Sequence, residues 1–208
     1  KVLPIEKRPR KQHPPVPFNT TSLMTAASAE GLSPARTMRL AESLYMDGYI
    51  SYPRVDNTVY PSSLDLEEVV KTISGNPAYA PFCKELLAKG PLTATRGKKE
   101  TTDHPPIYPT AMVTPDDLPP AEYKLYNLIA RRFLATLSEA AVVEGTKVTL
   151  DISGEHFAAK GDVLVHEGYR AIYPYGMKKV EQLPALAEGQ QTAFNGATCT
   201  KKQTEPPA

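Results

Sequence analysis

The sequence predicts an α+β protein, with helices in its first two thirds and antiparallel strands in its last third. Apolar residues recur at helical spacing in several segments between about residues 21 and 140, as they do between Leu66 and Ile73. Beyond that region the period changes to two, because Val148, Leu150 and Ile152 alternate with polar residues. The 21 prolines and 12 glycines divide the chain into short segments rather than forming one biased block.

The first part of the chain is expected to be extended and then helical. The opening 17 residues contain too many prolines for a helix, and an edge strand is expected at 2–6. A short helix is predicted at 21–30. Ser33 is a good N-cap with Pro34 at the first helical position of a second helix, which ends near Gly48. This pair of helices fits a helix-turn-helix and equally any small helical domain.

The middle of the chain is predicted to hold three more helices. Ser62 is expected to cap an amphipathic helix that Gly75 ends, and another helix is predicted at 79–89. The longest helix is predicted at 120–139. The segment 90–115 between them, with its turn residues and charges, is expected to be a long functional loop.

The last third is predicted to be an antiparallel β region in which Ser153-Gly154 forms a hairpin turn. Strands are predicted at 147–152, 156–160, 162–166, 169–173, 191–195 and 197–204.

Composition excludes several classes of protein. No apolar run approaches the roughly 20 residues that span a bilayer, and the first residues lack the apolar segment of a signal peptide. The two cysteines, Cys83 and Cys199, lie far apart without metal-ligand spacing, so a cytoplasmic, reducing location and no zinc are expected. No GxxxxGK[ST] loop is present, so ATP use is not expected. The absence of an initiator methionine suggests a fragment.

The net charge of +1 does not by itself indicate a nucleic-acid-binding protein. The basic residues nevertheless cluster at 1–11 and at 96–99. Either cluster fits contacts with a phosphate backbone, and either also fits solvated loop charge.

The stretch with the clearest chemistry is 48–58, which places a phenol beside a guanidinium just after a helix. Tyr52 is a candidate nucleophile, but a phenol with a pKa of about 10 needs a nearby cation or base to attack a phosphodiester. Arg54 is such a cation, and its planar fork suits a phosphate. In an extended segment the two side chains share one face. The alternative is an ordinary half-buried tyrosine followed by a surface arginine.

The wider stretch SPARTMRLAESLYMDGYISYPRVDNT, residues 33–58, resembles the active-site region of type IA DNA topoisomerases. The segments 15–23 and 103–110 add to the resemblance, and the wording Asp-His-Pro-Pro-Ile-Tyr-Pro-Thr in the latter is similar to the archaeal branch. The resemblance implies an isomerase in which Tyr52 forms a transient 5′-phosphotyrosine bond with one DNA strand. It implies that Arg54 and His104 take part in catalysis and that negatively supercoiled DNA is relaxed.

The resemblance also implies a domain arrangement, namely a mainly helical, tyrosine-bearing domain inserted into an antiparallel all-β arch. Residues 1–20 and 141–208 are then the two segments of the arch, and residues 21–140 are the helical domain. The family binds Mg²⁺ through a separate Toprim domain, and no acidic cluster of that kind is present here. This chain is therefore expected to bind no metal itself and to depend on the remaining domains of the same polypeptide.

Five further basic residues are candidates for DNA contact. Two lie on the helix before Tyr52 and three in the long loop, and they are Arg36, Arg39, Arg96, Lys98 and Lys99. The helix pair fits solvation equally well. The expected partner is single-stranded DNA, and the expected state is a monomer in the cytoplasm, associated with the nucleoid.

A rival hypothesis is a non-catalytic module that binds single-stranded nucleic acid, with Tyr52 stacking on a base. The sequence leaves open the topoisomerase I, topoisomerase III and reverse gyrase branches.

Overall fold

The structure is a computed structural model that describes residues 1–176, 183–193, 195, 196, 198 and 200. Helices and strands are both present, which confirms the predicted α+β class. In chain order the elements are β1 (Glu6–Gln12), α1 (Thr20–Ala29), α2 (Pro34–Met46), α3 (Leu66–Ile73), α4 (Ala80–Ala88), α5 (Pro120–Thr136), β2 (Ala141–Ile152) and β3 (Glu155–His166), followed by a 3₁₀ helix at Gly168–Ala171.

Side chains just before α1 and α2 decide where these helices begin. The side chain of Asn19 accepts a hydrogen bond from the Ser22 amide at 2.9 Å, and the Ser22 hydroxyl accepts one from the Asn19 amide at 3.0 Å. This reciprocal capping box starts α1. Ser33 caps α2 and Pro34 occupies its first turn, as the sequence predicted.

The cap of α3 differs from the prediction. Asp65, not Ser62, accepts a hydrogen bond from the Glu68 amide at 3.0 Å. The Leu64 amide bonds the Pro61 carbonyl at 3.0 Å, so the residues after Pro61 form a turn and the helix begins only at Leu66.

The longest helix, α5, is the centre of the helical core. Its apolar residues Leu125, Leu128, Ile129 and Phe133 are all buried, and it packs against α1 and α2. Cys83 lies in the same core on α4, where burial raises the pKa of its thiol to about 11. Cys199 lies outside the described residues.

The three strands form one antiparallel sheet in the order β1-β2-β3. The hairpin predicted at Ser153-Gly154 is confirmed, and both residues have positive φ, of 55° and 90°. The two strands predicted at 156–160 and 162–166 are the single strand β3. The entry strand lies at Glu6–Gln12 rather than at 2–6, where only Val2 forms an isolated bridge.

Two of the predicted strands are wrong. Most of the segment 169–173 belongs to a 3₁₀ helix, at whose start the Arg170 amide donates to the Glu167 carbonyl at 3.0 Å. The described residues of 191–195 have no regular structure. Most of the strand predicted at 197–204 lies outside the described residues.

The chain folds into two compact units, each made of segments that are distant in sequence. One contains the described residues of 1–9, 144–163 and 180–208, and the other, here the helical unit, contains the described residues of 10–143 and 164–179. Among the described residues, no helix has the length and apolar character that crossing a membrane requires.

Candidate functional site

The chain turns where α2 ends, and this turn leads into the segment that carries Tyr52. The Gly48 amide donates to the Tyr45 carbonyl at 3.0 Å, and the Tyr49 amide donates to the Leu44 carbonyl at 2.8 Å. This is a Schellman motif, with Gly48 at φ +80°. A side chain at this position would strain the backbone, so the turn favours glycine.

Residues 51–59 alternate between core and solvent. The odd-numbered residues are buried, whereas the even-numbered ones are half-buried or exposed. Because successive side chains of an extended chain point in opposite directions, Tyr52 and Arg54 lie on the outer side together. This shared side is the arrangement that the sequence predicted for an extended segment.

Ser51 attaches this segment to the long loop. Its amide donates to the Tyr108 carbonyl at 3.0 Å, and its hydroxyl accepts a hydrogen bond from the Tyr108 amide at 3.0 Å. Isolated antiparallel bridges pair Ile50 with Pro109 of the loop and Phe18 with Ile107 of the same loop. The backbone just before Tyr52 is therefore held to the long loop by hydrogen bonds between Ser51 and Tyr108.

Thr20, at the start of α1, holds the segment from another direction. Its hydroxyl donates to the Pro53 carbonyl at 2.7 Å and accepts a hydrogen bond from the Val55 amide at 2.8 Å. Its own amide donates to the Val55 carbonyl at 2.9 Å. The backbone on either side of Arg54 is thus fixed by one threonine.

Asn57 and Thr58 fix the loop that carries His104. The buried side-chain amide of Asn57 donates to the backbone carbonyls of Thr101, at 2.9 Å, and His104, at 3.1 Å. Thr58 pairs with the basic part of the same loop, where its amide donates to the Lys99 carbonyl at 2.8 Å. Asn57 therefore shapes the loop through two hydrogen bonds to its backbone.

The Tyr52 ring contacts two other rings. Its centroid lies 5.3 Å from that of Tyr45 on α2 and 4.7 Å from that of His104. His104 is exposed, and Asp103 beside it has a pKa lowered by a hydrogen bond from the Thr101 hydroxyl and by the His104 amide. The structure therefore brings a phenol, an imidazole and a neighbouring carboxylate together at the surface.

Arg54 is held by a carboxylate of α2. Its Nε donates to Oε1 of Glu42 at 2.8 Å, and its Nη2 contacts the same oxygen. Both side chains are about half exposed. The guanidinium is therefore oriented by α2 while it remains accessible to solvent.

The five basic candidates for DNA contact are all exposed, but they come from two elements. Arg36 and Arg39 lie on α2 and the other three in the long loop. Within that loop Arg96 pairs with Glu100 at 2.7 Å, and Lys99 pairs with Asp56. Part of the positive charge of the loop is thus neutralised within the chain.

A family model described as "DNA topoisomerase" matches residues 1–208. The chain belongs to the type IA DNA topoisomerase family. It is 41% identical over 207 residues to DNA topoisomerase 1 of Archaeoglobus fulgidus, covering 100% of the chain and 31% of that relative. It is 32% identical over 207 residues to human DNA topoisomerase 3-alpha, covering 99% of the chain and 20% of that relative.

Solved structures agree with this membership at the level of the fold. The chain matches full-length topoisomerase I from Thermotoga maritima with a TM-score of 0.66 and 24% identity, over 91% of this chain and 32% of that one. The chain thus spans about a fifth to a third of the length of these type IA relatives.

The acidic residues near Tyr52 are each bonded to a different partner. Glu42 bonds Arg54, Asp56 bonds Lys99 and Asp103 bonds Thr101. Within the described part of the chain, no three His, Cys, Asp or Glu residues are grouped so as to hold a metal ion. These three carboxylates are thus engaged with neighbouring side chains rather than with one another.

Sequence reasoning missed two neighbours of the predicted site, Glu42 and Tyr45. Both lie on α2, three residues apart, and residues at that spacing share a helix face. The helical periodicity of 34–46 was visible in the sequence. The sequence does not show where that helix face lies relative to the Tyr52 segment, because this depends on the turn at Gly48.

Proposed function

We propose that this chain supplies the nucleophile of a type IA DNA topoisomerase and that the nucleophile is Tyr52. The observation that carries the proposal is the grouping of three chemistries at one surface. The Tyr52 ring is 4.7 Å from the His104 ring, and Tyr52 shares the outer side of its segment with Arg54. Family membership independently supports DNA as the substrate.

The proposed reaction is transesterification on one DNA strand. The phenolic oxygen of Tyr52 attacks phosphorus, and the bond between phosphorus and the 3′ oxygen breaks. The product is a 5′-phosphotyrosine ester and a free 3′ hydroxyl, which takes up a proton as the phenol loses one. Because one ester replaces another, the reverse reaction reseals the strand without a nucleotide cofactor.

Each residue of the group has a proposed role. Arg54 binds the phosphate with its planar fork and stabilises the charge that develops on it. His104 hydrogen-bonds or positions the same phosphate, to which an imidazole N–H can donate. Arg36, Arg39, Arg96, Lys98 and Lys99 are proposed contacts to the strand on either side.

The complete activity is proposed to need the parts that the relatives possess beyond this third of their length. We propose that a Toprim domain in those parts binds Mg²⁺, which supplies positive charge at the phosphate. The helical domain is proposed to be inserted into a β arch and to lift on it so that another strand passes, relaxing negatively supercoiled DNA. A monomer acting on single-stranded DNA in the cytoplasm, at the nucleoid, completes the proposal.

A second candidate function is a stacking module for single strands. It is favoured by the exposed ring of Tyr45, 41% accessible, which contacts Tyr52 and extends the aromatic surface. Aromatic surfaces of this kind bind bases without chemistry.

Capture of a DNA end by a chimaeric enzyme distinguishes the two functions. In this chimaera the chain replaces its matched segment of the Archaeoglobus fulgidus relative, and the unmodified relative is the positive control. We expect a covalent adduct with a strand labelled at its 3′ end, because the 5′ end created by cleavage stays on the protein. The adduct should be lost in Tyr52→Phe, which removes only the hydroxyl. DNA binding should stay within a few-fold because the ring and its packing remain.

Two results would contradict the nucleophile proposal. One is an adduct that persists in Tyr52→Phe. The other is a folded chimaera that forms no adduct at all while Tyr52→Ala, but not Tyr52→Phe, weakens strand binding, which supports the stacking module instead.

A further inference from the structure

The contact between Arg54 and Glu42 uses only one edge of the guanidinium. Nε and Nη2 form that edge, and both reach Oε1 of Glu42. A guanidinium has five N–H donors, and Nη1 together with the second hydrogen of Nη2 forms another two-donor edge. In the described part of the chain, the hydrogen bonds of Arg54 all run to Glu42. The second edge thus remains available to a phosphate.

We propose that Glu42 is a positioning residue that binds the Nε edge of Arg54 so that the other edge faces the phosphate attacked by Tyr52. This inference rests on the proposed function of Tyr52 and Arg54. Unbonded arginine side chains sample many rotamers, and fixing one of them before the strand arrives lowers the entropy lost in the transition state.

The helix that carries Glu42 also contacts the nucleophile. Tyr45, one turn further along α2, touches the Tyr52 ring, so one face of α2 contacts both members of the pair. The helix itself is fixed to the core, because the Ser43 hydroxyl donates to Glu122 of α5 at 3.0 Å. A single rigid element therefore sets the phenol and the guanidinium relative to each other.

The opposite account makes Glu42 a competitor that a phosphate must displace. The two hypotheses predict opposite changes in the adduct-forming rate when the Glu42 carboxylate is removed. Removal of a competitor raises affinity and rate, whereas removal of a positioning residue lowers the rate. Stability does not discriminate between them, because an ion pair between half-exposed side chains contributes little to folding.

The first arm of the test uses the whole chain and needs no catalysis. The ¹⁵N-labelled Arg54 Nε–H signal is followed by NMR while an oligothymidylate is added. We expect this signal to be protected from exchange in the wild type, to stay protected when the strand binds, and to lose protection in Glu42→Ala. Loss of protection on adding the strand to the wild type would show displacement and overturn the proposal.

The second arm measures the adduct-forming rate of the chimaeric enzyme at saturating DNA. Glu42→Ala should lower this rate roughly tenfold to a hundredfold, the scale on which misplaced groups cost rate. Glu42→Gln, which keeps the acceptor oxygen, should retain most of the rate. In the Arg54→Ala background, Glu42→Ala should have no further effect. Glu67→Ala, which removes another exposed helical ion pair, is the matched control.

A rate that rises or is unchanged in Glu42→Ala would overturn the proposal, as would an equal loss in the Arg54→Ala background. An adduct that survives Tyr52→Phe refutes the proposed function instead. In that case the NMR arm still reports whether Glu42 holds Arg54, so the two failures are distinguishable.

Discussion

For Tyr52 as the proposed nucleophile, the limiting property is the weak nucleophilicity of a phenol. The structure places the His104 imidazole next to the Tyr52 ring, and the Arg54 guanidinium lies two residues away on the same side of the segment. None of the three groups is deeply buried, so a strand reaches them without opening the core. Among them, Arg54 is the residue whose geometry most clearly matches a phosphate.

Replacing Arg54 tests whether its shape or only its charge matters. In the chimaeric enzyme, Arg54→Ala should lower the cleavage rate by about 10²-fold or more, the scale for losing one positioned stabiliser of developing charge. Arg54→Lys should recover only part of that loss, because a point charge does not reproduce the fork. Single-turnover cleavage of a labelled strand measures both. Full recovery by lysine would show that the fork is not used.

At the residue scale, the sequence predicted the shared side of Tyr52 and Arg54 because that relation is local. Alternation in an extended segment follows from backbone geometry alone. The proximity of His104 to Tyr52, at 4.7 Å, followed from no local pattern and was indicated only by resemblance. The contact between Arg54 and Glu42 was not predicted, because it depends on how the chain runs back past α2 after the turn at Gly48.

At the scale of structural elements, the most important contact is the pairing of Thr58 with the basic part of the long loop, residues 96–99. The Gly97 amide donates to the Thr58 carbonyl at 2.9 Å, and the Thr58 hydroxyl is bonded to Lys99. A Cβ added at Gly97 would lie 2.1 Å from Oγ1 of Thr58. The loop therefore approaches the segment as closely as it does because position 97 has no side chain.

Gly97→Ala should destabilise the chain by about 1–3 kcal/mol, the usual cost of overpacking, because the hydrogen-bonded Thr58 side chain cannot move aside freely. Urea denaturation measures this loss. Gly75→Ala is the matched control, since its Cβ would meet only the flexible Met112 side chain at 3.4 Å. Equal effects of the two substitutions would argue against the close approach at Gly97.

The sequence predicted the helices better than the strands, for a physical reason. Helix periodicity and caps such as Ser33 are local, so α2 and α5 were placed within a few residues. The tyrosines of 169–173 favour a strand by propensity. Tertiary contacts decide otherwise: the Tyr169 amide bonds the Glu139 carbonyl at 2.9 Å, and Gly168 packs against the Ala140 backbone.

For the whole molecule, charge is nearly balanced and much of it is paired internally. The net charge is +1, and Arg54, Arg96 and Lys99 each contact a carboxylate. At the loop cations Arg96 and Lys99, a DNA strand has to compete with the paired carboxylates of Glu100 and Asp56. The chain therefore lacks the strong uniform field of a highly basic protein.

Binding of the isolated chain to single-stranded DNA should be weak and strongly salt-dependent, because each neutralised phosphate releases counterions with a slope of about −0.7 on a log–log plot. Removing the loop cations together, in Arg96→Ala, Lys98→Ala and Lys99→Ala, should reduce that slope. Fluorescence anisotropy at several salt concentrations measures it. An affinity that does not change between low and moderate salt would contradict the phosphate contacts.

The most direct measurement of the central claim is the position of the covalent bond. The adduct of the chimaeric enzyme is trimmed with nuclease and digested with trypsin, which releases the peptide from Leu40 to Arg54. That peptide contains three tyrosines, Tyr45, Tyr49 and Tyr52, so fragmentation by mass spectrometry must separate them. We predict that the nucleotide mass lies on Tyr52 alone. A nucleotide on Tyr45, on Tyr49 or on a residue outside this peptide would contradict the assignment of the nucleophile.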